Sequence, residues 1–326
     1  MKNKPFLLKP SGKNYLWGGR RLNDEFAKNI DMEPLAETWE CSTHPDGPSY
    51  ISGGEFDGKK LSEVLMQYPE YLGSHPDVHG ELPILIKFID ARQDLSVQVH
   101  PTDEYASSHE SGQSGKTEMW YVLDAKKDTQ LVYGLNRTVE KAEIREAIEK
   151  RTLEKYLQKV SIKKDDLFFI EAGMIHALGA GALVVEIQEN SNVTYRLFDY
   201  DRMDKNGKKR GLHVEKALDV ANLKSVANVR QPLRVLRYRQ GVASELLCRC
   251  KYFEVHRIIV NTERRQAVYY EADEMSFRVL LCINGCGVIQ FYNEVLNIYK
   301  GDCVFVPANS IQVRIHGQLQ FLDIRG

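Results

Sequence analysis

The sequence predicts a mainly β protein of two jelly-roll barrels with a small helical insert. Short runs rich in β-branched and aromatic residues, separated by turn residues, fill most of the chain. Residues 165–176 and 301–312 also match in spacing and character. Each contains an aspartate, a short apolar strand, a tight turn and a second strand. Many short strands joined by such turns are typical of a double-sheet jelly roll, and two copies predict two barrels.

The first part of the chain is predicted to form strands around one short helix. Strands are predicted over residues 37–42, 83–89, 95–101, 116–123 and 128–134. Apolar residues at helical spacing predict a helix over residues 61–72. Lys87 interrupts a nearly continuous apolar strand, so its side chain either lies at a sheet edge or reaches into a pocket.

The apolar spacing changes between residues 138 and 159. Apolar residues there lie among Lys, Arg and Glu at helical spacing, which predicts two amphipathic helices in an insert at about residues 137–160. One further helix is predicted over residues 213–223. Strands are predicted over residues 166–170, 174–178, 183–188, 193–198, 252–260, 277–283, 287–291, 303–306 and 311–315.

Four side chains of the first barrel are candidate metal ligands. Gln98 and His100 lie two residues apart in one strand and therefore project to the same face. Glu118 lies in the next strand, and His176 in a later one. Two imidazoles, a carboxylate and an amide oxygen suit a divalent cation, Zn²⁺ first, with positions left for water or substrate. Fe²⁺ is the alternative, but the glutamine oxygen would fill a position that an oxygenase keeps open.

The second barrel is predicted to carry no metal. In the second copy of the repeat, Gln312 occupies the position of His176, and no Gln-x-His pair precedes it. A polar tract at residues 224–234 predicts a domain boundary. Residues 1–225 would form a catalytic domain with the N-terminal strands and the insert, and residues 226–326 the second, metal-free domain.

The composition indicates which classes of partner and which cellular compartment to expect. The net charge of -1 gives no general field for nucleic acid or a membrane surface. A membrane-spanning helix needs a run of about 18 apolar residues, and the sequence contains none. The N-terminal residues do not resemble a signal peptide. The six cysteines are scattered and are predicted to be mostly buried, reduced thiols, which fits a cytoplasmic protein. The sequence does not indicate which protein partners, if any, the chain has.

Six motifs, which together extend over nearly the whole chain, resemble the short bacterial form of the type I mannose-6-phosphate isomerases, members of the cupin superfamily. The motifs are Trp17-Gly-Gly19, Glu37-Thr-Trp-Glu40, Lys87-Phe-Ile-Asp-Ala91, Ser96-Val-Gln-Val-His-Pro101, Lys116-Thr-Glu-Met-Trp120 and the run from Gln188 to Arg202. The chain departs from the cupin pattern at Glu171, where the turn before the last ligand normally has proline. Its helical insert is also much shorter than in the longer members.

The resemblance implies an enzyme that interconverts mannose 6-phosphate and fructose 6-phosphate through an enediol. It implies one zinc ion per chain, held by Gln98, His100, Glu118 and His176. Arg196 and Lys116 become the catalytic candidates, and Lys87 and Ser96 the substrate-binding candidates. The sugar phosphate is the expected partner.

The residues leave several roles open. Lys87 and Lys116 could hold the phosphate as point charges. A hydroxide on the metal, Lys116 or a carboxylate could serve as the general base. Arg196 could instead form a salt bridge with Asp199 or Asp201.

Two other functions fit parts of the pattern. A non-catalytic double-barrel sugar-phosphate binding protein could lose metal ligands or Arg196, but the full set is present here. A cupin-type metal oxygenase would hold iron and consume oxygen. No glycine loop for a nucleotide is present, so hydride transfer from a nicotinamide is not indicated.

Overall fold

The computed structural model describes residues 2–74, 81–203, 206–226, 229–263 and 266–326. These ranges contain 21 strands, five α-helices and two 3₁₀ helices, which confirms the predicted mainly β fold. None of their helices is long and apolar enough to cross a membrane. Residues 227 and 228, within the predicted boundary tract, lie outside the described residues.

The strands and helices have the following bounds. The first thirteen strands are β1 (Phe6–Lys9), β2 (Ser11–Lys13), β3 (Glu37–Cys41), β4 (Tyr50–Ser52), β5 (Ile84–Asp90), β6 (Val97–Val99), β7 (Glu118–Ala125), β8 (Gln130–Leu135), β9 (Leu157–Ser161), β10 (Leu167–Ile170), β11 (His176–Ala177), β12 (Ala182–Glu189) and β13 (Tyr195–Phe198). The others are β14 (Arg237–Arg239), β15 (Val242–Arg249), β16 (Glu254–Asn261), β17 (Val268–Tyr270), β18 (Arg278–Phe291), β19 (Glu294–Tyr299), β20 (Cys303–Val306) and β21 (Val313–Arg325). The α-helices are α1 (Arg21–Phe26), α2 (Leu61–Gln67), α3 (Asp103–His109), α4 (Lys141–Glu149) and α5 (Val214–Val220), and the 3₁₀ helices are Pro69–Leu72 and Leu153–Tyr156.

Two antiparallel sheets form the first jelly roll. The six-stranded sheet has the order β10-β7-β12-β5-β3-β2, and the five-stranded sheet has the order β13-β6-β11-β8-β9. One hydrophobic core joins them, with Ile89 and Trp120 from the first sheet and Leu131 from the second. The ligand-type residues lie on strands of both sheets, so this packing brings them together.

The six-stranded sheet is buried on both faces. Ile84, Ile86 and Phe88 of β5 face a core shared with the C-terminal strands, which contribute Val279 and Phe305. Because side chains alternate along a strand, Lys87 points to the opposite face, into the first jelly roll. Double burial explains why these strands are almost continuously apolar and why each charge on the inner face stands out.

The C-terminal strands form one ten-stranded sheet along the path β14-β15-β16-β21-β18-β20-β1-β4, with β17 beside β21 and β19 beside β18. This sheet encloses its own core, which includes Val260, Cys282, Val304 and Phe321. Strands β1 and β4, from the start of the chain, complete it. The domain boundary predicted near residue 225 stays a prediction, with the N-terminal strands pairing across it.

Several local elements differ from the sequence-based expectation. The second helix of the insert is a 3₁₀ turn followed by strand β9, since Arg151 adopts a left-handed φ of 57° and ends the helical run. The predicted strands 277–283 and 287–291 are one strand, because a β-bulge between Cys282 and Asn284 takes up one residue and the pairing then continues through Asn284 and Gly285. Helices α1 and α3 were not predicted, although the Thr102 hydroxyl caps α3 by accepting a hydrogen bond from the Tyr105 amide.

The six cysteines are all free thiols. Cys41, Cys282 and Cys303 are buried, and Cys248 and Cys250 are partly buried. Cys286 is exposed, which corrects the expected burial at that position.

Gln312 takes the place of His176 in the second copy of the repeat, and its side chain is exposed. We expect Gln312→Ala to change the free energy of unfolding by less than about 0.5 kcal/mol, as is usual for a surface position. Metal content and turnover should stay at the level of the unmodified protein, as measured by elemental analysis and a kinetic assay. A large loss of turnover in a folded, metal-loaded variant would reveal a functional site in the C-terminal sheet.

Candidate functional site

Three strands bring His100, Glu118 and His176 together inside the first jelly roll. One ligand atom from each residue lies within 4.8 Å of the others. His176 begins β11 and is the register partner of Gln98 in the neighbouring strand β6. Glu118 begins β7 in the facing sheet. The four residues that the sequence predicted as ligands therefore meet across the interior of the barrel.

Backbone carbonyls fix the orientation of both imidazoles. Nδ1 of His100 donates to the Val193 carbonyl and Nδ1 of His176 to the Met174 carbonyl, each at 2.8 Å. Each Nε2 therefore carries the lone pair and points into the cluster. Burial lowers the pKa of His100 well below its ordinary value, with help from the Lys116 charge, and lowers that of His176 to about 4. Neutral imidazoles are the form that binds metal.

Glu118 supplies the carboxylate of the cluster. Its Oε1 lies 3.3 Å from Nε2 of His176, and its Oε2 lies 3.5 Å from Nε2 of His100. Both oxygens are buried; Oε2 is in ion-pair contact with the Lys116 ammonium, and Oε1 has no hydrogen-bond partner within the described ranges. Burial and the neighbouring Glu186 raise the pKa of Glu118. A buried carboxylate oxygen without a partner, beside two imidazole lone pairs, suits a cation.

The amide of Gln98 reaches the same point. Its Nε2 lies 3.3 Å from Nε2 of His176, while Oε1 lies 3.4 Å from the Ser96 hydroxyl. A 180° rotation of the amide exchanges the two atoms and would present the oxygen to the cluster. The donor set therefore fits a divalent cation held by two nitrogens and two oxygens, with zinc as the leading candidate.

Two buried lysines lie beside the cluster, both paired with carboxylates. The Lys116 ammonium is 2.8 Å from Glu118 Oε2 and 3.2 Å from Nε2 of His100. The Lys87 ammonium is 2.9 Å from Glu186 and 3.9 Å from Glu37. Burial by itself would lower the pKa of Lys87, but these carboxylates outweigh it and raise it. Of the two placements open for Lys87, the structure therefore selects the pocket.

Arg196 lies in β13 and is the register partner of Gln98 in the neighbouring strand β6. It forms no salt bridge with Asp199 or Asp201, whose partners are Arg202, Arg210, Arg151 and Lys209. Its buried Nε has no hydrogen-bond partner in the part of the chain that is described. Burial, and then the charge of Arg210, lower the pKa of Arg196. An unpaired guanidinium of this kind is available to an anion.

A cleft lies beside the buried His100–Glu118–His176 cluster, and Gln98 lines it together with Lys87, Lys116 and Arg196. It is lined by Tyr15, Trp17, Glu37, Lys87, Ile89, Leu95, Ser96, Gln98, Lys116, Glu186, Asn192, Thr194, Arg196 and Arg210. The predicted residues Lys87, Ser96, Lys116 and Arg196 are thus all at one site with the ligand group. None of the predicted site residues lies elsewhere.

Sequence reasoning missed three charged residues of this cleft, Glu37, Glu186 and Arg210. Glu186 accepts hydrogen bonds from Lys87 at 2.9 Å and from the Trp120 indole at 2.8 Å. Burial raises the pKa of Glu186, but the Lys116 and Lys87 charges prevail and lower it to about 2. A lone carboxylate within an apolar strand is the signal that could have identified Glu186, just as Lys87 stood out in β5.

Two protein families match parts of the chain. Residues 6–133 match the family phosphomannose isomerase type I, catalytic domain, and residues 244–325 match the mannose-6-phosphate isomerase, cupin domain. Mannose-6-phosphate isomerase ManA of Bacillus subtilis is 35% identical over 321 residues, 97% of each chain. The mannose-6-phosphate isomerase of Streptococcus mutans is 32% identical over 321 residues, 98% of this chain and 97% of its own.

Solved structures of mannose-6-phosphate isomerases have the same fold as this chain. The crystal structure of the mannose 6-phosphate isomerase from Bacillus subtilis superposes with a TM-score of 0.91 at 33% identity and covers 99% of both chains. A putative mannosephosphate isomerase from Archaeoglobus fulgidus shares the fold, with a TM-score of 0.74 at 20% identity over 99% of this chain and 97% of its own. These likenesses confirm the cupin-type jelly roll that the sequence predicted.

Proposed function

Because the chain belongs to the type I phosphomannose isomerase family, we propose that it is a zinc-dependent enzyme that interconverts mannose 6-phosphate and fructose 6-phosphate. The observation that carries this proposal is the buried His100–Glu118–His176 group beside a cleft lined with lysine and arginine. Such a cleft suits a substrate that is both anionic and reactive at a carbonyl.

We assign the metal to His100, Glu118, His176 and Gln98. A divalent ion bound by these residues would polarise the carbonyl and hydroxyl oxygens of the open-chain sugar and stabilise the negative charge that develops on them. The neutral imidazoles and the buried Glu118 Oε1, which has no hydrogen-bond partner among the described residues, support this assignment. Zinc is favoured over iron because a glutamine amide joins the two histidines and the glutamate.

Proton transfer between C2 and C1, through an enediol, requires a group that reaches the reacting carbons. We assign this task to Lys116, which lines the cleft and contacts Glu118 and His100. Glu186 lies 3.9 Å from Lys116, and the negative charge of its carboxylate stabilises the protonated form of this lysine. Lys87, held by Glu186 and Glu37, would fix the position of that carboxylate.

We assign Arg196 to stabilising the negative charge of the enediolate. Its guanidinium has no carboxylate partner within the described residues and stands opposite Gln98, next to the proposed ligands. A donor fixed in a buried site costs no reorganisation when the charge appears. Ser96 lines the same cleft and contacts the Gln98 amide, so we assign it to orienting that amide and to binding substrate hydroxyl groups.

A coupled isomerase assay on metal-analysed protein tests the proposal. We expect zinc-loaded protein to convert mannose 6-phosphate to fructose 6-phosphate, and a chelator to stop turnover. In deuterated water, some deuterium should appear at C1 of the product, because a proton on a side chain exchanges with solvent whereas a transferred hydride does not. Free mannose should be a poor substrate. A zinc-loaded protein that does not interconvert the two sugar phosphates would exclude this function, and bound iron with oxygen consumption would favour a cupin-type oxygenase.

A further inference from the structure

A second arginine, Arg210, lines the active-site cleft near Arg196. It follows strand β13 by twelve residues and lies outside every motif that the sequence comparison brought forward. Its side chain is 28% exposed, so a ligand entering the cleft can reach it. The roles assigned so far to the cleft residues do not include Arg210.

Asp199 holds the Arg210 guanidinium in a fixed plane. Nε of Arg210 donates to Oδ2 of Asp199 at 2.7 Å, and Nη2 donates to Oδ1 at 2.5 Å. Such a two-point contact fixes the direction of the remaining N–H groups. In the described part of the chain Nη1 of Arg210 makes no hydrogen bond, and it stays free to donate. Asp199 also accepts a hydrogen bond from Arg202, so one carboxylate is shared by two guanidinium groups.

The charged residues around the cleft form two groups that differ in charge balance. The ammonium groups of Lys87 and Lys116 are matched by the carboxylates of Glu37, Glu118 and Glu186. Asp199 balances only one of its two arginines, and Arg196 has no carboxylate partner among the described residues. The unbalanced positive charge is therefore on the arginines and not on the lysines.

We propose that Arg210, held in place by Asp199, binds the phosphate group of the substrate. The inference rests on the proposed function, since it assumes a sugar phosphate in this cleft. A phosphate carries a charge of about -1.5 to -2 near pH 7 and is recognised well by a planar guanidinium. The phosphate lies on C6, at the far end of the sugar chain from the reacting C1 and C2. Binding it at Arg210 would direct C1 and C2 toward Lys116 and the metal ligands. Lys87 and Lys116 then remain with their carboxylates.

The test is Arg210→Met in the zinc-loaded full chain. Losing a hydrogen-bonded charge contact should raise the KM for mannose 6-phosphate and the Kd for inorganic phosphate by roughly 10- to 100-fold. We expect kcat to stay within about threefold, because the reacting carbons do not touch Arg210. Arg210→Lys should recover part of the affinity, since it keeps the charge but loses the planar fork.

Lys209→Met is the matched control, because it removes a neighbouring cation that pairs with Asp201 instead and does not line the cleft. It should leave both constants within about twofold. Unchanged phosphate binding in folded Arg210→Met, or a loss confined to kcat, would overturn the inference. Calorimetry with inorganic phosphate separates the two proposals: weaker binding in the variant of a protein that lacks isomerase activity would support Arg210 while refuting the proposed function.

Discussion

His176→Ala should empty the metal site and remove nearly all isomerase activity. His176 contributes one of two imidazole lone pairs, and it is fully buried with its ring fixed by the Met174 carbonyl. Alanine leaves one imidazole, one carboxylate and the neutral Gln98 amide, a weaker donor set than the two histidines and one glutamate of known catalytic zinc sites. The metal supplies several kcal/mol of transition-state stabilisation, so the loss in turnover should be about a thousandfold or more.

Elemental analysis and the coupled assay check this expectation together. His256→Ala is the control, since His256 lies in strand β16 of the C-terminal sheet and pairs with Glu254. That variant should keep about one zinc per chain and full turnover. His100→Ala should behave like His176→Ala. Stoichiometric zinc in the double variant His100→Ala/His176→Ala would disprove the ligand assignment.

Arg196→Lys should lower kcat by on the order of 100-fold, as is typical when one donor to a developing oxyanion is removed. The KM should change much less, because the interaction forms only as charge develops. Lysine keeps the positive charge but cannot reproduce the direction of the guanidinium donors. Steady-state kinetics, together with a measured zinc content, distinguish the loss of this transition-state interaction from a loss of metal.

The opposite kinetic pattern would change the role of Arg196. An unaltered kcat with a raised KM would make it a phosphate-binding residue that acts with Arg210. Arg145→Lys on helix α4 provides the control, because Arg145 is exposed, pairs with Glu215 and does not line the cleft. It should have no measurable effect on either constant.

Much of the first jelly roll could be predicted from the sequence because the relevant rule is local. Alternation along a strand places Gln98 and His100 on one face, and the Asp-strand-turn pattern identified both β10 and β20. The ligand types then indicated a metal. The same locality explains the errors: the left-handed Arg151 and the bulge near Asn284 depend on how each segment packs, which a short stretch of sequence does not reveal.

The sequence by itself determined most of the strands and the candidate donor residues, since both depend on residue type and short spacing. Only the tertiary structure decided which charges are neutralised. Lys87 pairs with Glu186, 99 residues away, because β5 and β12 are neighbours in one sheet. Asp199 holds Arg210, which is 11 residues away in the chain, and Arg196 has no salt-bridge partner among the described residues. Coulomb energy depends on distance in space, and strand order, which no local pattern encodes, determines that distance.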